Sequence, residues 1–277
     1  MKLNTTFSAA KRELPFDKYK TYRTAVQSPE VDVVFLRRLY RELKGRPAQS
    51  LREDFCGTFA ISCEWAKLSK DHLSYGIDID PEPLGYGLEH NLAELVPSVQ
   101  KRVRVFQKSV LDRDLPSADI VCAMNFSYFC FKARHLLKQY FQNAATTLKP
   151  GGVFVVDAFG GPACQKANVE ESPRKGFRYV WEQVSYEPLT NEAVFHIHFK
   201  MRNGKGRYHT YREVFTYDWR MWSIPELREV MEEAGFKKTH VYWEGTARSG
   251  LGDGVFTRVE KGEECEAWVA YIVGEKD

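Results

Sequence analysis

Apolar positions along the chain recur at two periods, and the switches between them mark the elements. From Glu30 to Lys44, Val31, Val34, Phe35, Leu39 and Leu43 fall at helical spacing with charges opposite, which predicts an amphipathic helix. Leu51 to Phe59 then reads as a strand that ends in a turn at Gly57 and continues as a helix through Ala60–Leu68. A second strand, Leu73 to Ile79, closes on the acids Asp78 and Asp80, and Pro81 to Leu95 reads as the next helix. Val103–Gln107 and Ala118–Met124 come next as strands, the second apolar enough to be buried on both faces. Ala133 to Leu148 is helical, with Leu136, Leu137, Tyr140, Phe141 and Ala144 on one side. Lys149-Pro150-Gly151 stops it, because proline cannot continue the ladder and glycine accepts a left-handed exit. Val153 to Asp157 is the fifth strand. Strands alternating with helices predict a Rossmann-like, seven-stranded, mostly parallel sheet flanked by helices.

After the fifth strand the period changes. Phe177–Ser185, Glu192–Met201 and Arg207–Asp218 alternate with period two, and Asn203-Gly204-Lys205-Gly206 suits a tight hairpin. Residues 177–218 are therefore expected to form a three-stranded antiparallel β insertion. Within it, His196 and His198 share one face, and Phe195, Ile197 and Phe199 the other. Two histidines without a third ligand do not make a metal site, and the polar face is expected to roof a substrate cavity. Ser223-Ile224-Pro225-Glu226 is a capping box that opens a helix. Thr239–Trp243 and Ala267–Val273 supply the last two strands, joined by a long glycine-rich connection, residues 244–264, of the kind that is functional or disordered more often than idle.

Composition narrows the partners. A chain of 277 residues suits one domain with an elaboration, here an arm over residues 1–29 and a domain over 30–277. The net charge is +3, with basic and acidic residues interspersed, which weighs against a nucleic-acid partner. Six cysteines without a C-x-x-C pair read as reduced thiols, and no metal is expected. Neither a signal-length apolar core in Met1–Leu14 nor a run of about 18 apolar residues occurs, so a cytoplasmic protein without a membrane partner is expected.

The chemistry is carried by the strand ends. In open α/β sheets ligands bind beyond the carboxyl ends of the strands, and an acid ending the second strand can hold a ribose diol. Asp78 thus points to a nucleoside-containing cofactor. A diphosphate is not expected: no G-x-G-x-x-G or G-x-x-x-x-G-K-[ST] is present, and Phe55 and Phe59 stand where a pyrophosphate needs open backbone.

Set between a strand and a helix, Glu53-Asp54-Phe55-Cys56-Gly57-Thr58-Phe59 resembles the first motif of the class I S-adenosylmethionine-dependent methyltransferases. Glu53 takes the acid position, Cys56, Gly57 and Thr58 match directly, and Phe55 and Phe59 replace the outer glycines. Tyr75-Gly76-Ile77-Asp78-Ile79-Asp80 resembles the second motif, which implies that Asp78 and Ile79 meet the ribose. Ser109 and Val110 stand where the family places an acid beside the adenine. Asn125 and Phe126 end the fourth strand, and Leu148–Asp157 matches the helix stop and fifth strand. The resemblance runs in order through about residue 157. It implies that S-adenosyl-L-methionine is the cofactor and S-adenosyl-L-homocysteine the product.

The insertion resembles, in organisation, that of the amino-sugar and glycine N-methyltransferases. This implies transfer to a small-molecule acceptor, with nitrogen preferred slightly over oxygen, and it allows a homodimer. Many small-molecule members fold an N-terminal segment over the cofactor, which makes Tyr19 and Tyr22 catalytic candidates. Asp157 either points into the ligand crevice or caps the turn after it. His196 is the further candidate, since a hydroxyl acceptor would need a base such as His or Asp. Tyr19, Tyr22, Phe126, Tyr128, Phe159, Tyr179 and Trp181 are the rings placed to build a pocket. An RNA or protein methyltransferase, a nicotinamide-dependent oxidoreductase and a catalytically silent S-adenosylmethionine-binding regulator remain as alternatives.

Overall fold

The structure, a computed structural model, describes residues 13–247 and 252–276. Two helices come first, α1 (Lys18–Val26) and the longer α2 (Pro29–Lys44). A β/α alternation comes after them: β1 (Ser50–Asp54), α3 (Ala60–Lys67), β2 (Leu73–Asp78), α4 (Pro81–Gly87), α5 (Pro97–Gln100), β3 (Val103–Gln107), β4 (Ala118–Ala123), α6 (Arg134–Thr147) and β5 (Leu148–Gly160). Four antiparallel strands, β6 (Asn168–Arg174), β7 (Phe177–Glu187), β8 (Glu192–Arg202) and β9 (Tyr208–Arg220), precede α7 (Ile224–Glu233). The described chain closes with β10 (Lys238–Thr246), β11 (Gly252–Val259) and β12 (Trp268–Glu275).

The main sheet has the order β11-β10-β12-β5-β4-β1-β2-β3. Strands β1 to β5 pair in parallel, and β12 lies antiparallel between β5 and β10. Seven of these eight strands are the expected ones. The eighth corrects the reading of residues 244–264 as a connection: Gly252–Val259 pairs antiparallel with β10 as a new edge. Its glycines, which suggest a loop, sit at the start of the strand; Gly254 takes φ 73° and Gly252 lies against the Glu244 side chain. The insertion likewise has one strand more than the period-two pattern announces. β6 carries two acids, a proline and an arginine, reads as polar loop, and pairs with β7 along its whole length.

Both faces of the main sheet are covered. α2 and α3 bury Leu36, Leu39, Tyr40, Ile61 and Trp65 against one face, and α6 and α7 bury Leu137, Phe141, Leu227 and Met231 against the other. A fully buried Leu contributes about 2 kcal/mol by transfer from water, so these layers hold the strand ends in register. A buried ion pair sits inside: Arg52, with no exposure, donates to both Asp54 oxygens at 2.8 and 3.1 Å and to Thr147 Oγ1 at 2.7 Å. Among the described residues no helix is long and apolar enough to cross a membrane.

Candidate functional site

The turn after β1 explains how phenylalanines can replace glycines. Phe55, Gly57 and Phe59 take φ of 55°, 52° and 47°. The turn keeps left-handed backbone with L residues at two positions, at about 1–2 kcal/mol each. Burial offsets the strain. Phe59 is fully buried, and its ring meets Gly87, where any Cβ would lie 2.3 Å from the ring. Phe55 packs edge-on against Phe131 and Tyr140. Neither ring fills the space above Gly57.

That space is a cavity of about 280 Å³ at the carboxyl ends of β1, β2 and β4. Gly57 N–H donates to Asp78 Oδ2 at 2.7 Å and Asp80 N–H to Asp78 Oδ1 at 2.9 Å. The two bonds fix the Asp78 carboxylate at the cavity wall, and burial raises its pKa against the pull of both. Glu53 Oε2 accepts from Ser62 N and Oγ at 2.8 and 2.7 Å, and burial pushes its carboxyl up to about 8. Four carboxylates, Glu53, Asp54, Asp78 and Asp80, line this cavity, and no Lys, Arg or His lines it among the described residues.

Helix α1 lies across the opening. Asp17 caps it by accepting from Lys20 N at 2.9 Å, and its other oxygen accepts from Tyr86 Oη at 2.7 Å. Lys18 pairs with Glu82 at 2.6 Å, and Arg23 donates to Asn91, which in turn donates to the Thr58 carbonyl at 2.7 Å. Tyr19 packs on Tyr86 and Tyr22 on Phe215, with centroids at 4.8 and 4.9 Å. Both tyrosines thereby line the cavity, with phenols held protonated chiefly by burial.

A second cavity, of about 710 Å³, lies between the end of β5, the insertion and the β10–β12 region, within the size range of ligand sites. Tyr22, Asn125 and Tyr217 line both cavities and form the wall between them. There the Tyr22 and Tyr217 hydroxyls hydrogen-bond to each other. Phe126, Phe159, Tyr179, Trp181 and Trp219 make the second cavity aromatic. Asn125 and Phe126 reach it from a strained turn, at φ 59° and 58°.

Asp157 holds that turn. It is 6 % exposed and accepts from Asn125 N and Phe126 N at 2.7 and 2.8 Å, while Tyr128 Oη donates to its carbonyl at 2.8 Å. Burial pushes its carboxyl up to about 7 against these two bonds. It lines neither cavity, and the turn its carboxylate caps is the one after β4 rather than the one after its own strand; Tyr128 belongs to the core beside it.

The insertion presents the opposite face from the expected one. Tyr179, Trp181, Ile197, Tyr217 and Trp219 turn to the second cavity, and His196 and His198 turn away from it. Period two separates the faces correctly, but the apolar face is the roof. On the outer face Glu182, His196 and His198 bring three donor atoms within 4.8 Å of one another. His198 Nδ1, however, accepts from Glu213 N at 2.7 Å, so Nε2 carries the proton it shares with Glu182 at 2.6 Å. A metal on Nε2 would need that proton on Nδ1 instead, and the trio is better described as a locked His–Glu pair.

Of the other sequence candidates, Cys56, Gly57 and Thr58 line the first cavity. Ile79 stands 69 % exposed past the end of β2. Ser109 N donates to Asp112 Oδ2 at 3.1 Å, and Val110 is buried in the core. Sequence reasoning did not single out Asp54, Phe215, Tyr217, Gln183 or Trp219. For the residues on β9 the signal was the aromatic side of its alternation, which does not say what that side faces.

No family model matches the chain, and no curated protein does. Solved structures do match. CalS10, an amino pentose methyltransferase from Micromonospora echinaspora solved with S-adenosylmethionine bound, covers 96 % of this chain and 99 % of its own at 14 % identity and a TM-score of 0.66. The sugar N-methyltransferase KedS8 from a Streptoalloteichus species covers 100 % and 98 % at 18 % identity and 0.63. An S-adenosylmethionine-dependent methyltransferase from Clostridium acetobutylicum covers 92 % and 96 % at 15 % identity and 0.62. Over nearly its whole length, the chain has the fold of the S-adenosylmethionine-dependent methyltransferases.

Proposed function

We propose that the protein transfers a methyl group from S-adenosyl-L-methionine to an amine nitrogen of a small molecule, with the cofactor in the first cavity and the acceptor in the second. When bound, this cofactor supplies a methyl group on a positively charged sulfur, open to in-line displacement. The lining of the first cavity fits it. Asp78 and Asp80, with no basic residue in the lining, suit a cationic sulfonium and ammonium and disfavour a pyrophosphate, while Glu53 is held protonated by burial and Asp54 is paired with Arg52. Asp78 would take the ribose hydroxyls, Gly57 and Thr58 the backbone contacts, and Tyr19 and Tyr22 would cover the ligand and exclude water.

The observation that carries the preference for nitrogen is the wall between the cavities. Its titratable groups are the phenols of Tyr22 and Tyr217, both held neutral by burial. Asp157 is occupied beneath the turn, and His196 faces outward. A hydroxyl acceptor requires a base at this point, whereas an amine needs only to arrive unprotonated, which a dry aromatic cavity favours. The chain's task is then alignment, which lowers a barrier by up to roughly 7–11 kcal/mol for well-placed groups. Tyr217 fixes the Tyr22 oxygen, and the rings of Phe126, Trp181 and Trp219 hold a cationic product by their faces. The carboxylates around both cavities also speak against an RNA substrate, whose phosphates they would repel.

Thermal unfolding with S-adenosylhomocysteine, with NAD as control, tests this reading. Ligand at about 100 times its dissociation constant stabilises by about 2.7 kcal/mol and raises the midpoint by on the order of 5 °C. No rise, or a rise with NAD alone, would rule out the assigned cofactor.

A further inference from the structure

Gln183 lies on β7 two residues past Trp181, on the sheet face turned to the second cavity, and is 4 % exposed. Its Nε2 donates to the Cys164 carbonyl at 2.7 Å. A carbonyl only accepts, so the amide orientation is settled and Oε1 is the end left over. No described residue donates to that oxygen, although its side chain is enclosed by the cavity wall. That oxygen is the polar end the side chain leaves open on a cavity-lining position, and a ligand N–H would pair with it.

The charges around the same cavity point the same way. Glu170 on β6, Glu244 on β10 and Glu266 before β12 line it, and no Lys, Arg or His does so among the described residues. The chain as a whole is at +3, so this local sign is not the sign of the composition. Three carboxylates from separate elements attract a cation into a low-dielectric cleft, and the rings inside it add faces that favour the same charge.

We propose that Gln183 is a specificity-determining residue that accepts a hydrogen bond from an N–H of the acceptor, and that the cavity selects a cationic amine carried on a flat apolar scaffold. This deepens the methyl-transfer reading and rests on it. Before transfer the ammonium must give its proton to one of the three carboxylates or to water, and the neutral amine that remains keeps an N–H, so the bond to Gln183 survives that loss. A carboxylate in the same place sets acceptor against acceptor. A hydroxyl can donate but brings no charge.

Three probes with one ring and different heads separate these cases: phenethylamine, 2-phenylethanol and 3-phenylpropionate. Each is titrated into the full-length protein saturated with S-adenosylhomocysteine, with tryptophan fluorescence as readout, since Trp181 and Trp219 line the cavity. Phenethylamine should bind at least tenfold more tightly than the other two. Gln183→Met, which keeps the length and removes the acceptor, should weaken the amine about tenfold, and Gln183→Glu should keep the preference. The affinity for S-adenosylhomocysteine should stay within twofold in both variants, which reports that they are folded. Equal affinities of the three probes, no binding of any, or an amine affinity unchanged in Gln183→Met would overturn the proposal. Amine selection in a protein that does not bind S-adenosylhomocysteine would instead remove the transfer reading beneath it.

Discussion

The two cavities share a wall and little else. The first is made of backbone turns and carboxylates at the ends of three adjacent parallel strands, and most of its lining comes from a continuous third of the chain. The second is made of rings from the N-terminal helix, the turn after β4, the insertion and the last strands. Local geometry builds one, and long-range packing builds the other. A ligand common to many proteins can be held by the first kind of site, while a ligand particular to one protein needs the second.

This contrast can be broken, and the sharpest attempt is Asp78→Ala. The variant removes a charged hydrogen-bonding group, worth about 3 kcal/mol, so S-adenosylhomocysteine should bind roughly a hundredfold more weakly. Calorimetric titration gives the value, and acceptor-probe binding should change far less. An equal loss at both sites would mean that the cavities are one unit.

Protonation separates the two regions next. Glu53 beside the first cavity and Asp157 under the second have carboxyls raised by burial to about 8 and about 7. A raised carboxyl keeps in the folded state a proton that the unfolded chain has already released, so its contribution is complete at low pH and is lost as pH rises. Stability from these groups should fall between about pH 4 and pH 8, by up to about 1.4 kcal/mol per pH unit for each. In Asp157→Asn the slope below pH 7 should drop by about half, as read from urea midpoints at pH 5, 6, 7 and 8. A slope unchanged in the variant would mean that Asp157 is ionised in the folded protein.

Trp181→Ala is the converse of Asp78→Ala. Loss of a stacking surface inside the second cavity should weaken phenethylamine about tenfold and leave S-adenosylhomocysteine within twofold. The smallest effect is expected for His196→Ala, on the outer face of the insertion. Methyl transfer and both ligand affinities should stay within about twofold of the parent, and a larger loss of turnover would put this histidine back among the catalytic candidates.

The same contrast governs how far the sequence could be read. Strands β2, β4 and β5 announce themselves as short apolar runs, β1 by the acids and glycine turn that close it, and the order of the five comes from the strand–helix rhythm. The carboxylates of the first cavity are legible because strand ends fix where a side chain can go. Tyr217 and Gln183 are not, since period two tells which residues share a face but not which face is roofed. His196 shows the cost: its polarity suggested a cavity, and a sheet turns its polar face outward when rings from three other segments need cover. Strands β6 and β11 were hidden for a related reason. Both are edge strands with little to bury, so they read as loops until a partner pairs with them.

The wall between the cavities also has a consequence in time. Tyr22 and Tyr217 are separated by nearly the whole β/α core, and neither has its partner until both are in place. At a ribosomal rate of roughly 5–20 residues per second, Tyr217 emerges about 10 to 40 seconds after Tyr22. For that interval the core strands can already pair while α1 has no β9 to dock on. The wall between the cavities is therefore among the later parts of the molecule to exist, and a chain stalled short of β9 would hold only the five parallel strands of the main sheet, with nothing for α1 to close on.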